Sequence, residues 1–283
     1  MRLATFSAKA DGRPRLGIVT DAGVIALSEL PDAPATMIDL IAEWPDWQAA
    51  VEALTYRAPT HQLEDVILHA PVPRPGKIMG IGLNYADHVA EATIEAPKEQ
   101  LWFSKQATSV NDPYGALQLP EVSSALDYEG ELVFVVGRRI RHATREEAKA
   151  AIFGFCCGND VTVRDWQFKT SQFTLGKSFD THAPFGPWIV TSDVLDPHAL
   201  GIRTLVNGEQ RQASNTRYLI YDCYDQIVHL SQAMTLEPGD VIFTGTPGGI
   251  GSAMRPQRWL AAGDVVRVEI DGIGMIENVV RPE

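Results

Sequence analysis

The stretch "AAGDVVRVEIDGIGMIENVV", Ala261 to Val280, sets a Gly-Asp turn ahead of an apolar run, and "EPGDVIFTG", Glu237 to Gly245, repeats the device. Turn residues feeding runs rich in β-branched side chains predict consecutive strands. The carboxyl-terminal part is therefore read as a mostly β domain, in a chain of α+β class. Working outward, Val133 to Val136 in "DYEGELVFVVG" read as a buried strand. Two helices interrupt the strands. One has Thr144 as its cap with Glu147 three residues on, the spacing of a capping box, and the other runs around Tyr218 to Ala233.

At the other end of the chain, "RLGIVTDAGVIALSEL" reads as two strands around an Asp21 to Gly23 turn, and "TMIDLIAEWPDWQAAVEAL" as short helices broken at Pro45. The prolines and glycines of "APVPRPGKIMGIG", Ala70 to Gly82, make a stiff connector. The expected division is a small α/β unit over residues 1–70 and a larger strand-rich domain over 71–283.

With 283 residues, 45% hydrophobic and 21% charged, the chain has the composition of a globular protein with a sizeable core. Its formal charge of −12, with no cluster of basic residues, argues against nucleic acid as a partner. "MRLATFSAKADG" lacks the apolar run of a signal peptide, and no stretch approaches the roughly 18 apolar residues of a membrane span, so a cytoplasmic protein without membrane contact is expected. Three cysteines, two of them adjacent at Cys156 and Cys157, fit neither a disulfide framework nor a zinc spacing and are expected reduced and buried.

Chemistry concentrates in five places. Asp127, Glu129 and Glu131 alternate, so on a strand they share one face. Two such charges about 4 Å apart repel by roughly 4 kcal/mol at an effective dielectric near 20, which water, a proton, a basic partner or a cation must offset. In "FCCGNDVTVRDWQ", a helical turn after Asp160 would bring Arg164 and Gln167 onto the same face, able to hold a metal and a carboxylate ligand. "GLNYADHVAE" places His88 and Glu91 one turn apart, a pair suited to taking a proton from water, with His182 as the rival base. Lys177 in "LGKSFDTHAPFGP" could meet a developing oxyanion. Thr246 in "FTGTPGGIG" offers hydrogen bonds to a small ligand, since that loop lacks the Gly-Lys-Ser/Thr ending of a phosphate loop. No nucleophile elbow is found, so a covalent serine mechanism is disfavoured.

In this order, "GLNYADHVAE", "DYEGELVFVVG", "GNDVTVRDWQ", "GKSFDTHAPFGP" and "FTGTPGGIG" resemble the fumarylacetoacetate hydrolase family from about Pro75 onward. The resemblance implies that family's mixed β-sheet roll with a small N-terminal domain, a homodimer, a divalent cation and a small 2-oxo acid substrate. Carried over residue by residue, the metal carboxylates fall on Glu129, Glu131 and Asp160, while Asp127 matches no ligand position. Oxygen-only ligands suit Mg²⁺, Mn²⁺ or Ca²⁺. The water-activating pair falls on His88 and Glu91, and the substrate contacts on Arg164, Gln167, Lys177 and Thr246. "NTRYLIYDC" and Trp102 before "FSK" depart from the family pattern.

The expected reaction is hydrolysis of a carbon–carbon bond in an acylpyruvate-type 2,4-dioxo acid. His88 would activate water, and Lys177 would stabilise the tetrahedral oxyanion. The same metal-bound enolate would equally serve decarboxylation of an oxaloacetate-like acid or keto–enol isomerisation. A catalytically silent, metal-stabilised binding module is the reading from a different class.

Overall fold

The computed structural model describes residues 1–86 and 98–283. Its first strands are β1 (Arg2–Ala8), β2 (Pro14–Thr20), β3 (Gly23–Ala26), β4 (Val66–His69), β5 (Ile78–Gly82), β6 (Leu101–Lys105), β7 (Val110–Asn111), β8 (Leu117–Leu119) and β9 (Leu126–Asp127). The rest are β10 (Gly130–Val136), β11 (Ile152–Asn159), β12 (Thr162–Val163), β13 (Ala183–Thr191), β14 (Gly201–Val206), β15 (Glu209–Asn215), β16 (Val241–Phe243), β17 (Val265–Ile270) and β18 (Gly274–Pro282).

The α+β, mostly β class predicted from the turns is what the chain adopts. One large mixed sheet runs in the order β3-β2-β1-β13-β11-β10-β16-β5-β6, with β4 and β7 attached to β1 and β13. A second sheet, β15-β14-β17-β18-β8, contains the two strands of the 261–280 stretch, and β9 pairs with β12 in a short ribbon. Strand β10 is buried along its whole length because it lies between β11 and β16 in the interior of the large sheet. A strand covered on both faces reads as a continuous apolar run, which is why Leu132 to Val136 show no alternation.

The helices follow their caps. Helix Arg145–Ala150 starts with the expected box, Thr144 accepting from the Glu147 N–H while the Glu147 side chain accepts from that of Thr144. The other predicted helix begins later than expected. Thr216–Tyr218 form a 3₁₀ turn and the helix proper is Cys223–Ala233, because Asp222 accepts from the Tyr224 and Asp225 N–H groups and fixes the start there. Pro45 lies in the first turn of Trp44–Leu54, where its missing N–H would have had no helical partner, and Met37–Ala42 precedes it as a separate helix.

Sheet and core both cross the 70/71 division. β1 pairs with β13, matching Arg2 with Val190 and Leu3 with Ile189. A single apolar cluster packs Leu3, Ile18 and Leu40 against Val133, Val135, Phe185 and Phe243. All three cysteines are buried and free.

Candidate active site

Glu131 is on β10, Glu129 in the two-residue step between β9 and β10, and Asp160 just beyond the end of β11. Antiparallel pairing of Gly130 with Asn159 brings the two segments side by side, and the Asp160 N–H donates to the Glu129 carbonyl at 2.9 Å. Ligand oxygens of Glu129, Glu131 and Asp160 consequently lie within 4.8 Å of one another, and all three residues are buried.

Burying that much negative charge requires counter-charge. Lys177 Nζ stands 2.8 Å from Glu129 Oε2 and 2.7 Å from Asp160 Oδ2. A terminal nitrogen of Arg164 meets Glu129 Oε1 at 2.7 Å, and its Nε meets Asp127 Oδ2 at 2.8 Å. Lys105 Nζ reaches Asp160 Oδ1 at 2.5 Å. Among the described residues, with Asp127 included, four carboxylates face three cations, leaving one negative charge to be neutralised. It falls on Glu131, whose Oε2 accepts only a backbone N–H, from Gly245 at 2.7 Å. Burial, then the neighbouring Asp160 and Glu129 charges, push the Glu131 carboxyl well above its ordinary range. Burial lowers Lys177 but Asp160 and Glu129 outweigh it, so the ammonium stays charged, whereas for Lys105 burial wins over Asp160 and the pKa falls.

These donors fit a hard divalent cation. All three carboxylates are oxygen donors, and each carboxylate oxygen has two lone pairs, so those already paired to lysine or arginine retain acceptor capacity. Among the described residues Glu131 forms no ion pair with a basic side chain, and a buried carboxylate in that position takes either a proton or an ion.

Two expectations from spacing are corrected by the geometry. Asp127, Glu129 and Glu131 do not form a solvated face of one strand. Asp127 belongs to β9, pairs there with Thr162, and is fully buried with its oxygens committed to Arg164 and to the N–H groups of Tyr128, Gly251 and Ser252. Nor does a helical turn after Asp160 align it with Arg164 and Gln167. β12 intervenes, the helix Arg164–Gln167 starts afterwards, and Arg164 donates to Gln167 Oε1 at 3.0 Å while Asp160 faces the lysines.

Glu129, Arg164, Gln167, Lys177 and Thr246 line one cavity of about 400 Å³, walled by Ile81, Phe103, Phe173 and Ile250. That volume suits a small-molecule ligand. The Thr246 hydroxyl is already engaged, donating to the Gly130 carbonyl and accepting from Gln212 Nε2. His182 lies outside this lining. It is fully buried, donates from Nε2 to the Gln118 carbonyl at 2.8 Å and stacks on Phe179, and burial drives its pKa down to about 4. His88 and Glu91 lie outside the described residues.

Lys105 escaped the sequence reading. Its only signal is alternation along "LWFSK", which puts Phe103 and Lys105 on the covered face of β6. A lysine closing such a pattern must find an acid inside.

Residues 77–281 match the family described as fumarylacetoacetate (FAA) hydrolase C-terminal. Human "oxaloacetate tautomerase FAHD2A, mitochondrial" is 41% identical over 99% of this chain and 91% of its own. The solved fumarylacetoacetate hydrolase of Exiguobacterium antarcticum superposes with a TM-score of 0.89 at 35% identity, covering 100% of both chains. Maleylpyruvate hydrolase from Sphingobium sp. SYK-6, solved with manganese(II) and pyruvate, gives 0.83 at 33% identity, covering 100% of this chain and 99% of its own.

Proposed function

This chain belongs to the fumarylacetoacetate hydrolase family, and from that membership we propose that it is a divalent-metal enzyme interconverting the keto and enol forms of an oxaloacetate-type 2-oxo diacid. The observation that carries the reading is the buried Glu129, Glu131 and Asp160 cluster, open through Glu129 to a cavity that also presents Arg164, Gln167 and Lys177. The whole-length likeness to an oxaloacetate tautomerase supports it.

Glu129, Glu131 and Asp160 would hold the ion, Mg²⁺, Mn²⁺ or Ca²⁺ by its oxygen donors, and when bound it would supply Lewis-acid polarisation of a 2-oxo group. Arg164 and Gln167, locked together at 3.0 Å, present a fixed donor pair that orients the substrate carboxylate. Lys177 is buried, charged and held in place by two carboxylates, so it meets the oxygen on which negative charge grows without having to reorganise. In the keto-to-enol direction C3 loses a proton to solvent and the 2-oxo oxygen gains one, and ketonisation moves both protons back. Phe103, whose ring centroid lies 4.8 Å from Lys177 Nζ, and Phe173 exclude bulk water from this end.

The second reading is hydrolysis of an acylpyruvate, favoured by the His88 and Glu91 pair in the sequence and by the likeness to a maleylpyruvate hydrolase. It adds one requirement, activation of water, and assigns that to His88 oriented by Glu91. Decarboxylation of an oxaloacetate-type acid would call on the same three carboxylates and the same Lys177. Homodimerisation and a cytoplasmic location belong to the same proposal.

Enol-oxaloacetate decay, followed by its ultraviolet absorbance with Mg²⁺ and after chelation, tests the first reading against parallel assays of acetylpyruvate and maleylpyruvate cleavage. Metal-dependent acceleration of ketonisation that survives His88→Ala supports the tautomerase. Cleavage lost in that variant by about 10²-fold to 10⁴-fold supports the hydrolase. Absence of every activity with Mg²⁺ and with Mn²⁺ leaves the silent binding module.

A further inference from the structure

A third basic residue lines the cavity. Arg255 lines it together with Arg164 and Lys177, and these are the three basic residues of its described lining. Arg164 and Lys177 are already paired with Asp127, Glu129 and Asp160, which holds them in place. Arg255 has no carboxylate partner among the described residues. One of its terminal nitrogens donates to the carbonyls of Ser252, Ala253 and Met254 at 2.9–3.2 Å, while its Nε and other terminal nitrogen have no partner there.

One buried carboxylate ties the turn just before Arg255 to Arg164. Asp127 accepts from Arg164 Nε at 2.8 Å on one side and from the Gly251 and Ser252 N–H groups at 2.8 and 3.0 Å on the other. Gly251 allows this approach, since a β-carbon there would sit 2.0 Å from the Arg258 carbonyl oxygen and 2.7 Å from Asp127 Oδ1. The turn carrying Arg255 is thereby referenced to the residue that orients the substrate at the carboxylate cluster.

We infer that Arg255 recognises the distal carboxylate of a 2-oxo diacid and makes this enzyme selective for dicarboxylates over monocarboxylic 2-oxo acids. The inference rests on the 2-oxo acid reading above and deepens it. A substrate whose first carboxylate and oxo group lie at Arg164, Gln167 and Lys177 extends its other end along the cavity. Arg255 is exposed at the cavity and has no carboxylate partner among the described residues, so its remaining N–H groups can meet a second negative group. Arg255 acts through binding, so it is a specificity residue rather than a catalytic one.

Calorimetric titration of the Mg²⁺-loaded protein with (S)-malate and with lactate, which share a 2-hydroxy acid head and differ in the distal carboxylate, reads this directly. Wild type is expected to prefer malate, and Arg255→Met to lower the malate-to-lactate affinity ratio by about tenfold or more, the share of one charge-assisted hydrogen bond. Arg255→Lys should restore part of the ratio, because it returns the charge without the fork. In turnover, Arg255→Met should raise the KM for oxaloacetate far more than it lowers kcat. An unchanged ratio in Arg255→Met, with both acids still bound, overturns the assignment of Arg255 and leaves the 2-oxo acid reading standing. Failure of the wild type to bind either acid with Mg²⁺ overturns that reading and the inference with it.

Discussion

At the scale of single residues, the site is governed by how few counter-charges a buried cluster of acids can find. Among the described residues Glu131 has no ion-pair partner, so it is the residue at which an ion and a proton compete. Glu131→Gln keeps the acceptor for the Gly245 N–H and removes the charge. The variant is expected to fold with a melting temperature in chelator at or above that of wild type, and to lose both activity and Mg²⁺-induced stabilisation. Differential scanning calorimetry with and without Mg²⁺ checks it. Lys105 makes the opposite case. Lys105→Met strands the second oxygen of Asp160, and breaking such a buried pair costs about 3–5 kcal/mol. Added Mg²⁺ should recover part of that loss, since it returns positive charge to the same carboxylate. A defect untouched by Mg²⁺ would place Lys105 outside the electrostatics of the cluster.

His182 supplies the pH test at this scale. Its folded pKa of about 4 lies below the unfolded value near 6.5, so between those values the unfolded chain binds more protons and stability rises with pH. The contribution is complete above pH 6.5 and lost progressively as pH falls to 4, on the order of 3 kcal/mol. Glu131, with its raised pKa, slopes the other way over part of this window, so the readout is the difference between wild type and His182→Gln, in which the Glu131 contribution cancels. That difference in unfolding free energy should grow with pH from 4 to 6.5 and then level off, and catalysis in His182→Gln should persist, since the imidazole is outside the cavity.

At the scale of elements, Lys177 is placed by a loop packed against a one-turn helix. Gly176 lies so close to that helix that a β-carbon would come within 2.3 Å of the Gln167 nitrogen and 2.5 Å of its Cα. Both contacts are backbone, so no side chain can swing away. Gly176→Ala should shift the 176–177 segment off the Arg164–Gln167 helix, cost about 1–3 kcal/mol as an overpacked site, and lower turnover much more than a stability change of that size explains. A variant with reduced melting temperature and full kcat would show that Lys177 tolerates displacement. Helix caps behave differently because they were local all along. Thr144 with Glu147 announced its helix in four residues, whereas the start of Cys223–Ala233 depended on Asp222, whose role as a cap competes with the Thr216–Tyr218 turn just before it.

At the scale of the whole molecule, the first 70 residues complete a sheet that the rest of the chain leaves open. Without β1, strand β13 would present an unpaired edge, and Val133, Val135, Phe185 and Phe243 would lose the Leu3, Ile18 and Leu40 side of their cluster. A protein begun at Pro71 is therefore expected to aggregate or to be recovered as a loosely packed species, seen by size-exclusion chromatography and loss of cooperative melting. A cooperative, monodisperse 71–283 fragment would show that the shared core is dispensable.

The sequence by itself determined the properties that depend on near neighbours: the β-rich class from Gly-Asp turns and apolar runs, the capping box at Thr144, and the buried strand at Val133 to Val136. Through five motifs in order it also pointed to the family and to Glu129, Glu131 and Asp160 as one cluster. What only the tertiary structure decided is which charge meets which. Asp127 looked like a third member of an acidic face, yet a two-residue step between β9 and β10 turns it toward Arg164 and the Gly251 turn. Lys105 drew no reading from its sequence, and only strand register brings it to Asp160. Local spacing fixes the direction of a side chain relative to its own strand or helix, over a few residues. Pairing across 37 residues from Asp127 to Arg164, or 55 from Lys105 to Asp160, is set by strand register and by the requirement that every charge taken from water find its opposite.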